Sequence, residues 1–342
     1  MRVTHRVLIW ILTVLFSVCV PTGCAPHDAR VAFFIYDETD TFISEMMAKV
    51  DDLIPPGLTT YVRYAGNSQT IQNQQILELA ETGVKLFVIN AVDRLACNSI
   101  VEMCLSRDID LIFFNREPLE DALKGEQIYY VGAAAASLGQ KQAEMVAALF
   151  GSDFRGSSFD KNLDGVVQLA IIKGEQGHQD AEKRTDNCVS RLRELGFAVE
   201  VLGIEVANWN RQNGYEAMKR LYAQHGDKIE LLFANNDDMA LGAIDYLLET
   251  GIFSPKNDAA KQPFVLVGVD GTEVGLEMIR RGLLYGTVLN DSDKQADAIV
   301  TLTDYILHDK DLSDFPYEII NSHYVFFDGD IITQASIGNY TK

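Results

Sequence analysis

Tyr36, Asp40 and Phe42, then Asn115, then His178, Asp180 and Arg184, then Trp209, Asn236, Asp270 and Asn290 each stand at or just past the end of a short apolar run. Carboxylates and planar amides accept and donate to adjacent hydroxyls in pairs, and a guanidinium adds charge-assisted donors. Aromatic rings cover apolar C–H faces. Such a set suits a polyhydroxylated ring. Singly, each residue has a plainer reading: an Asp or Asn that ends a strand is commonly a helix N-cap, and a lone Trp or Phe is commonly core. The set gains weight because its members fall at equivalent positions along the chain.

A second group has a different character. Asp160-x-Asn162-x-Asp164-Gly165-x-x-Gln168 puts side-chain oxygens at positions 1, 3, 5 and 9 of a loop, with glycine at 6 for the sharp turn. This is the first part of an EF-hand-like calcium loop, without the glutamate at position 12, where Ile171 stands. Val166 at position 7 would contribute its main-chain carbonyl. Taken alone, the segment reads equally as calcium site or Asx-rich turn.

The elements that must position these residues alternate regularly. Apolar runs at 31–36, 59–64, 86–89 and 111–114 are separated by amphipathic stretches at 42–53, 70–82 and 94–107. A second series begins with the run at 166–172 and continues through the helix 180–195, strand 198–204, helix 213–225, strand 230–234, helix 238–250 and strand 264–269. Repeated strand, helix, strand predicts parallel βαβ units and two doubly wound α/β sheets. Ligands of such sheets collect at the carboxyl ends of the strands, where the first group of residues stands. Residues 151–165 read as a polar connection, and 251–262 as a surface insertion.

Composition limits the function. The 342 residues are 47% hydrophobic and 23% charged, an ordinary globular balance, and 29 Lys and Arg stand against 49 Asp and Glu for a net charge of −20. Nucleic acid and anionic membrane surfaces would repel so acidic a molecule. Arg2 and Arg6 precede an apolar run at 7–20, of signal-peptide length and short for a bilayer span. Pro21-Thr22-Gly23-Cys24 then resembles a lipobox, with Pro21 in place of the usual Leu. Residues 1–23 are therefore expected to be removed and Cys24 lipidated, the membrane being met only through this anchor. Cys97, Cys104 and Cys188 lack metal-ligand spacing and read as buried thiols, the first two on one helix face.

Eight ordered motifs carry a resemblance. They are Ile35-Tyr36-x-x-x-Asp40-x-Phe42, Ile89-Asn90-x-Val92-Asp93, Phe113-Phe114-Asn115-Arg116-Glu117-Pro118 and Tyr129-Tyr130-Val131-Gly132, followed by Lys173-Gly174-Glu175-x-Gly177-His178-x-Asp180-Ala181-Glu182-x-Arg184, Ala234-Asn235-Asn236-Asp237, Gly268-Val269-Asp270 and Gly286-Thr287-Val288-Leu289-Asn290-Asp291. Together, from about Val31 to the last strand, they resemble the periplasmic galactose/glucose-binding proteins of ABC importers.

The resemblance implies the type I periplasmic-binding-protein fold, two Rossmann-like domains joined by three crossovers. The expected lobes are 24–132 with 290–324, and 133–289 with 325–342, the second carrying the loop 160–168. It implies D-glucose and D-galactose as ligands, held between Phe42 and Trp209. Asp40 would receive the 4-hydroxyl of either epimer, and Tyr36 would line the edge. Asn115, His178, Asp180, Arg184, Asn236, Asp270 and Asn290 match the remaining polar contacts. It also implies a structural calcium on Asp160, Asn162, Asp164, Gln168 and the Val166 carbonyl, closed by Glu230. The expected partners are permease and ATPase subunits, with a chemoreceptor as an alternative recipient, and the expected location is the periplasm. Two departures are peripheral: 133–136 is less polar than the family crossover, and 251–262 is longer. An enzyme is the rival class, because His178, Asp180 and Arg184 suit acid/base work and paired carboxylates hydrolyse glycosides; no GxSxG, HExxH or phosphate-binding glycine loop supports it. A transcriptional regulator of the same fold is disfavoured by the leader and by the lack of a DNA-binding segment.

Overall fold

The computed structural model describes residues 30–152 and 154–340; the expected signal peptide and Cys24 lie outside the described residues. The chain forms two six-stranded sheets. The first lobe runs β1 (Arg30–Ile35), α1 (Thr41–Leu53), β2 (Thr59–Tyr64), α2 (Gln69–Ala80), β3 (Leu86–Ile89), α3 (Cys97–Leu105), β4 (Asp110–Phe114) and β5 (Ile128–Ala133). The chain then enters the second lobe with α4 (Ala135–Phe150), β6 (Val166–Lys173), α5 (Gln179–Glu194), β7 (Ala198–Val206), α6 (Arg211–His225), β8 (Leu231–Ala234), α7 (Asp237–Glu249), β9 (Val265–Asp270), α8 (Glu273–Arg280) and β10 (Gly286–Leu289). It returns to the first lobe for α9 (Ser292–Leu307) and β11 (Tyr324–Phe327), and ends in the second with β12 (Ile331–Thr333).

The strand orders are β11-β5-β4-β3-β1-β2 and β12-β10-β9-β8-β6-β7. All pairings are parallel except β12 on β10. Each sheet has helices on both faces, so its central strands are apolar on both sides. Ile35, Val88 and Ile112 face one core of the first lobe, Phe34, Phe87 and Phe113 the other. The second lobe repeats this division, with Ile172, Leu232 and Leu266 on one side and Ile171, Phe233 and Val267 on the other. Periodicity alone therefore shows buried runs, as parallel sheets require.

The chain crosses between lobes three times, after β5, after β10 and after β11. The third crossing corrects the expected boundary at 324/325. Tyr324 to Phe327 pair with Tyr130 to Ala133 at the edge of the first sheet, where Val325 and Phe327 enter the first-lobe core, so the chain leaves this lobe only at Asp328. The residues at 251–262 are also less loose than a surface insertion: Phe253 is buried against Phe264, and the Gln262 amide donates to the carbonyls of Ser254 (2.8 Å) and Gly282 (3.1 Å). Cys97, Cys104 and Cys188 are buried free thiols, and burial pushes Cys97 and Cys104 up to about 12.

Candidate functional site

All eleven residues of the first group line one chamber between the lobes, together with Arg116. Its empty space is about 320 Å³, part of it open to solvent. Tyr36, Asp40, Phe42 and Asn115 come from the first lobe, His178 to Asp270 from the second, and Asn290 from the second crossing.

The helix-cap and ligand readings of these residues turn out to be compatible. Asp40 caps α1 with one oxygen, accepting from the Ile43 N–H at 2.9 Å, while its other oxygen accepts from the Tyr36 hydroxyl. His178 caps α5 through Nδ1, which accepts from the Asp180 N–H at 3.1 Å. Asn236 caps α7 with its carbonyl oxygen (3.0 Å to the Met239 N–H), and its amide donates to the Trp209 carbonyl at 3.2 Å. In a doubly wound sheet the helix N-termini gather at the carboxyl edge of the strands. Capping thus fixes these side chains by one atom at the rim of the crevice.

The polar wall of the second lobe is organised by Arg184. Its guanidinium pairs with Asp180 at 3.1 Å, lies 3.7 Å from Asp270 and donates to the Asn235 carbonyl at 2.8 Å. Burial raises Asp180 to about 6, opposed by Arg184, and raises Asp270 well above the ordinary carboxylate range. Burial, with Arg116, Arg184 and Arg94 nearby, holds His178 well below the ordinary histidine value, so the imidazole is neutral near pH 7. With Nδ1 accepting, the ring proton belongs on Nε2. Three buried polar atoms of this lining have no protein partner: Asp180 Oδ1, Arg184 Nε and Trp209 Nε1.

Backbone strain also concentrates here. Asn115 (φ 58°), Trp209 (φ 63°) and Asp270 (φ 127°) occupy the left-handed half of dihedral space, which non-glycine residues enter at a cost and which clusters at functional sites. The surroundings hold them in place. The Tyr130 hydroxyl donates to the Asn115 carbonyl at 3.0 Å, and the Asn90 amide donates to Asn115 Oδ1 at 3.1 Å. Asp237, beneath the Asp270 turn, accepts from the Gly271 and Thr272 N–H groups (2.9 and 3.0 Å) and from the Thr287 hydroxyl (2.7 Å).

The lobes are closed on each other. Arg116 pairs with Glu175 at 2.9 Å, Glu117 with Lys183 at 3.3 Å, and Arg94 with Gln179. Sequence reading passed over Arg116, which is 4% exposed and lies over the Tyr36 ring at 3.8 Å. Its signal was its position directly after Asn115. Asn235 and Asp237, which flank Asn236 at the same strand end, stay out of the chamber and act one layer behind it, Asn235 accepting from the Gly174 N–H and Asp237 from the Gly271 N–H.

The sequence matches the family described as periplasmic binding protein domain over residues 31–311. The chain belongs to that family. It is 33% identical over 304 residues to a D-galactose/methyl-galactoside binding periplasmic protein of Haemophilus influenzae, covering 87% of this chain and 88% of the relative. Its fold is that of a solute binding protein of an ABC transporter from Bacillus halodurans with bound myo-inositol (TM-score 0.75, 23% identity, 93% of this chain and 98% of the other). It is equally that of a periplasmic solute binding protein of an ABC transporter from Actinobacillus succinogenes with bound D-allose (TM-score 0.75, 18% identity, 91% and 99%). The family membership and the type I fold are those the motifs implied.

At the opposite end of β6 from His178 lies the loop 160–168. Asp160 Oδ2 accepts from the Gly156 and Gly165 N–H groups at 3.0 and 3.1 Å, and Asp164 Oδ1 from the Val166 N–H at 2.7 Å. The carbonyl oxygen of the Asn162 side chain accepts from the Asp164 N–H at 3.0 Å. Asp160 Oδ1 and Gln168 Oε1 are buried acceptors without a protein donor, as oxygens reserved for a cation would be. Glu230 joins the loop by accepting from the N–H groups of Lys161 (2.7 Å) and Gln168 (3.0 Å). Among the described residues no three His, Cys, Asp or Glu side chains converge as a metal cluster. Backbone amides hold Glu230 beside the loop in this arrangement.

Proposed function

We propose that this chain is the sugar-binding component of an ABC importer, holding D-glucose or D-galactose outside the cytoplasmic membrane and releasing it to permease and ATPase subunits. The observation that carries the reading is the chamber itself. A small closed space with an aromatic residue from each lobe, Phe42 and Trp209, also holds buried, unpartnered Asp180 Oδ1, Arg184 Nε and Trp209 Nε1. Hydroxyls that both donate and accept match that mixture, and a hexose presents them around an apolar ring face. The H. influenzae relative, whose name specifies D-galactose, supports a hexose. Asp40 is fixed through Ile43 and Tyr36, and it is the group we assign to the hydroxyl that differs between the two epimers.

Binding is the whole activity in this reading. The residues suited to acid/base chemistry are committed to structure: His178 Nδ1 to a cap, Asp180 to Arg184. Calorimetry on the chain without residues 1–23 should show about one hexose bound per chain, with pentoses weaker, and the recovered sugar should be unchanged. Tight ribose binding without heat from either hexose, or a hydrolysed glycoside, would overturn the assignment.

The loop 160–168 is proposed as a structural calcium site, with Asp160 Oδ1, Gln168 Oε1, Asn162, Asp164 and the Val166 carbonyl as oxygens and Glu230 turning from its amides to close it. All-oxygen donors suit calcium. Cys24 is proposed as the lipid attachment that keeps the protein at the membrane.

A further inference from the structure

Arg116 walls three spaces at once. Besides the inner chamber it borders an outer polar chamber of about 750 Å³ free space, lined also by Asp37, Asn67, Asn208, Asn210 and Asp238. It borders as well a less polar one beside Val92, Leu95 and Leu119. Glu175 lines both outer spaces but not the inner one. Arg116 follows β4 and Glu175 follows β6, so their 2.9 Å ion pair joins opposite lobes and exists only when the cleft is shut. The guanidinium is fixed on its other sides by the Tyr36 ring at 3.8 Å and by donation to the Val92 carbonyl at 2.8 Å.

We propose that the Arg116–Glu175 pair is a bar across the cleft that limits the closed protein to a single sugar ring; this rests on the hexose reading given above. A bidentate-capable, planar guanidinium held on three sides is a rigid wall. Behind it the polar outer chamber, larger than the inner one, suits a second hydroxylated ring, which the bar keeps from joining the first. Tyr36, Asp40 and Trp209 line both spaces, so the two lie side by side and a linked pair of rings reaching from one to the other would meet the bar. Because the Glu175 side chain is 40% exposed, the pair adds only modest attraction between the lobes, and its chief effect is steric.

The test compares affinities for glucose and galactose with those for cellobiose and lactose, whose non-reducing rings are these hexoses, in the wild-type protein, Arg116→Ala, Arg116→Lys and Glu175→Ala. The wild type should prefer the monosaccharide strongly. Arg116→Ala should narrow that preference by about tenfold or more; Arg116→Lys, which keeps a shorter bar, should narrow it less. Glu175→Ala, at a half-exposed position, frees one side of the guanidinium and should narrow the preference about threefold while speeding hexose release about three- to fivefold. Hexose binding by the wild type with an unchanged mono- to disaccharide ratio in the Arg116 variants, or in Glu175→Ala if those do not fold, overturns the bar alone. A wild type that binds neither hexose overturns the hexose reading and the bar with it.

Discussion

The Trp209 indole lies directly on Gly174: a methyl group at position 174 would come within 2.4 Å of the ring. Gly174 follows β6, and Trp209 follows β7 at a positive φ, so a missing side chain on one strand end makes the seat for an aromatic face on the next. The edge of His178 meets the same indole with ring centres 5.0 Å apart. Gly174→Ala should therefore displace Trp209 and weaken hexose binding at least tenfold, with a loss of stability of about 1–3 kcal/mol. Isothermal titration and urea unfolding measure the two effects; unchanged affinity would show that the indole's position does not matter.

Trp209→Ala should cost about 1–3 kcal/mol of hexose binding with the fold intact, since it removes an aromatic face while leaving the polar wall in place. The sequence holds Trp10 and Trp209 as its two tryptophans, so a chain without its first 23 residues carries one indole. Its fluorescence should change on adding glucose. An emission spectrum indifferent to saturating sugar would place Trp209 outside the binding event.

Arg184 holds two buried carboxylates, at 3.1 and 3.7 Å. Arg184→Met would leave Asp180 and Asp270 without their cation, and breaking a buried pair from one side costs about 3–5 kcal/mol. The unfolding free energy from denaturant titration should fall by that amount and hexose binding should disappear. Near wild-type stability at pH 7 would mean that both carboxylates find other partners or solvent.

Burial pushes Asp237 up to about 7, against the pull of its bonds from Thr287, Thr272 and Gly271. A carboxyl raised on folding favours the native state most when protonated. Its contribution is complete below the ordinary value of 3.8 and is lost as pH rises through about 7. Acidifying from pH 8 to 5 should thus bring the wild type a stability increment that Asp237→Asn lacks. Melting temperatures of both proteins across this range, at constant ionic strength, decide it: a difference that stays flat with pH would exclude the linkage.

Chelation of protein purified with calcium should lower the melting temperature, because a cation that binds only the folded loop stabilises it by mass action. Hexose affinity should hardly move, since the loop and His178 sit at opposite ends of β6. Glu230→Gln should weaken the metal response and spare the sugar site. Metal analysis that finds no calcium, with no melting shift on its addition, would leave the loop as an Asx-rich turn.

The sequence by itself determined the two parallel sheets and the level at which the site lies. Buried strands in such sheets are continuous apolar runs, and the residue just past each run must stand at the carboxyl edge, so Asp40, Asn115, His178 and Asn236 were legible as a set from spacing and side-chain chemistry. Cap and ligand readings competed in the sequence for the residues that begin helices. Only the structure showed that Asp40 and Asn236 serve the cap with one atom and leave others at the crevice. Tertiary structure alone decided what depends on contacts remote in sequence. Arg116 became a wall of the chamber because closure sets it between Tyr36 and Glu175. Glu230 reached the loop 160–168 because β8 lies beside β6. The strand at Tyr324 joined the first lobe because the open edge of β5 was there to accept its backbone hydrogen bonds, a choice that no local pattern encodes.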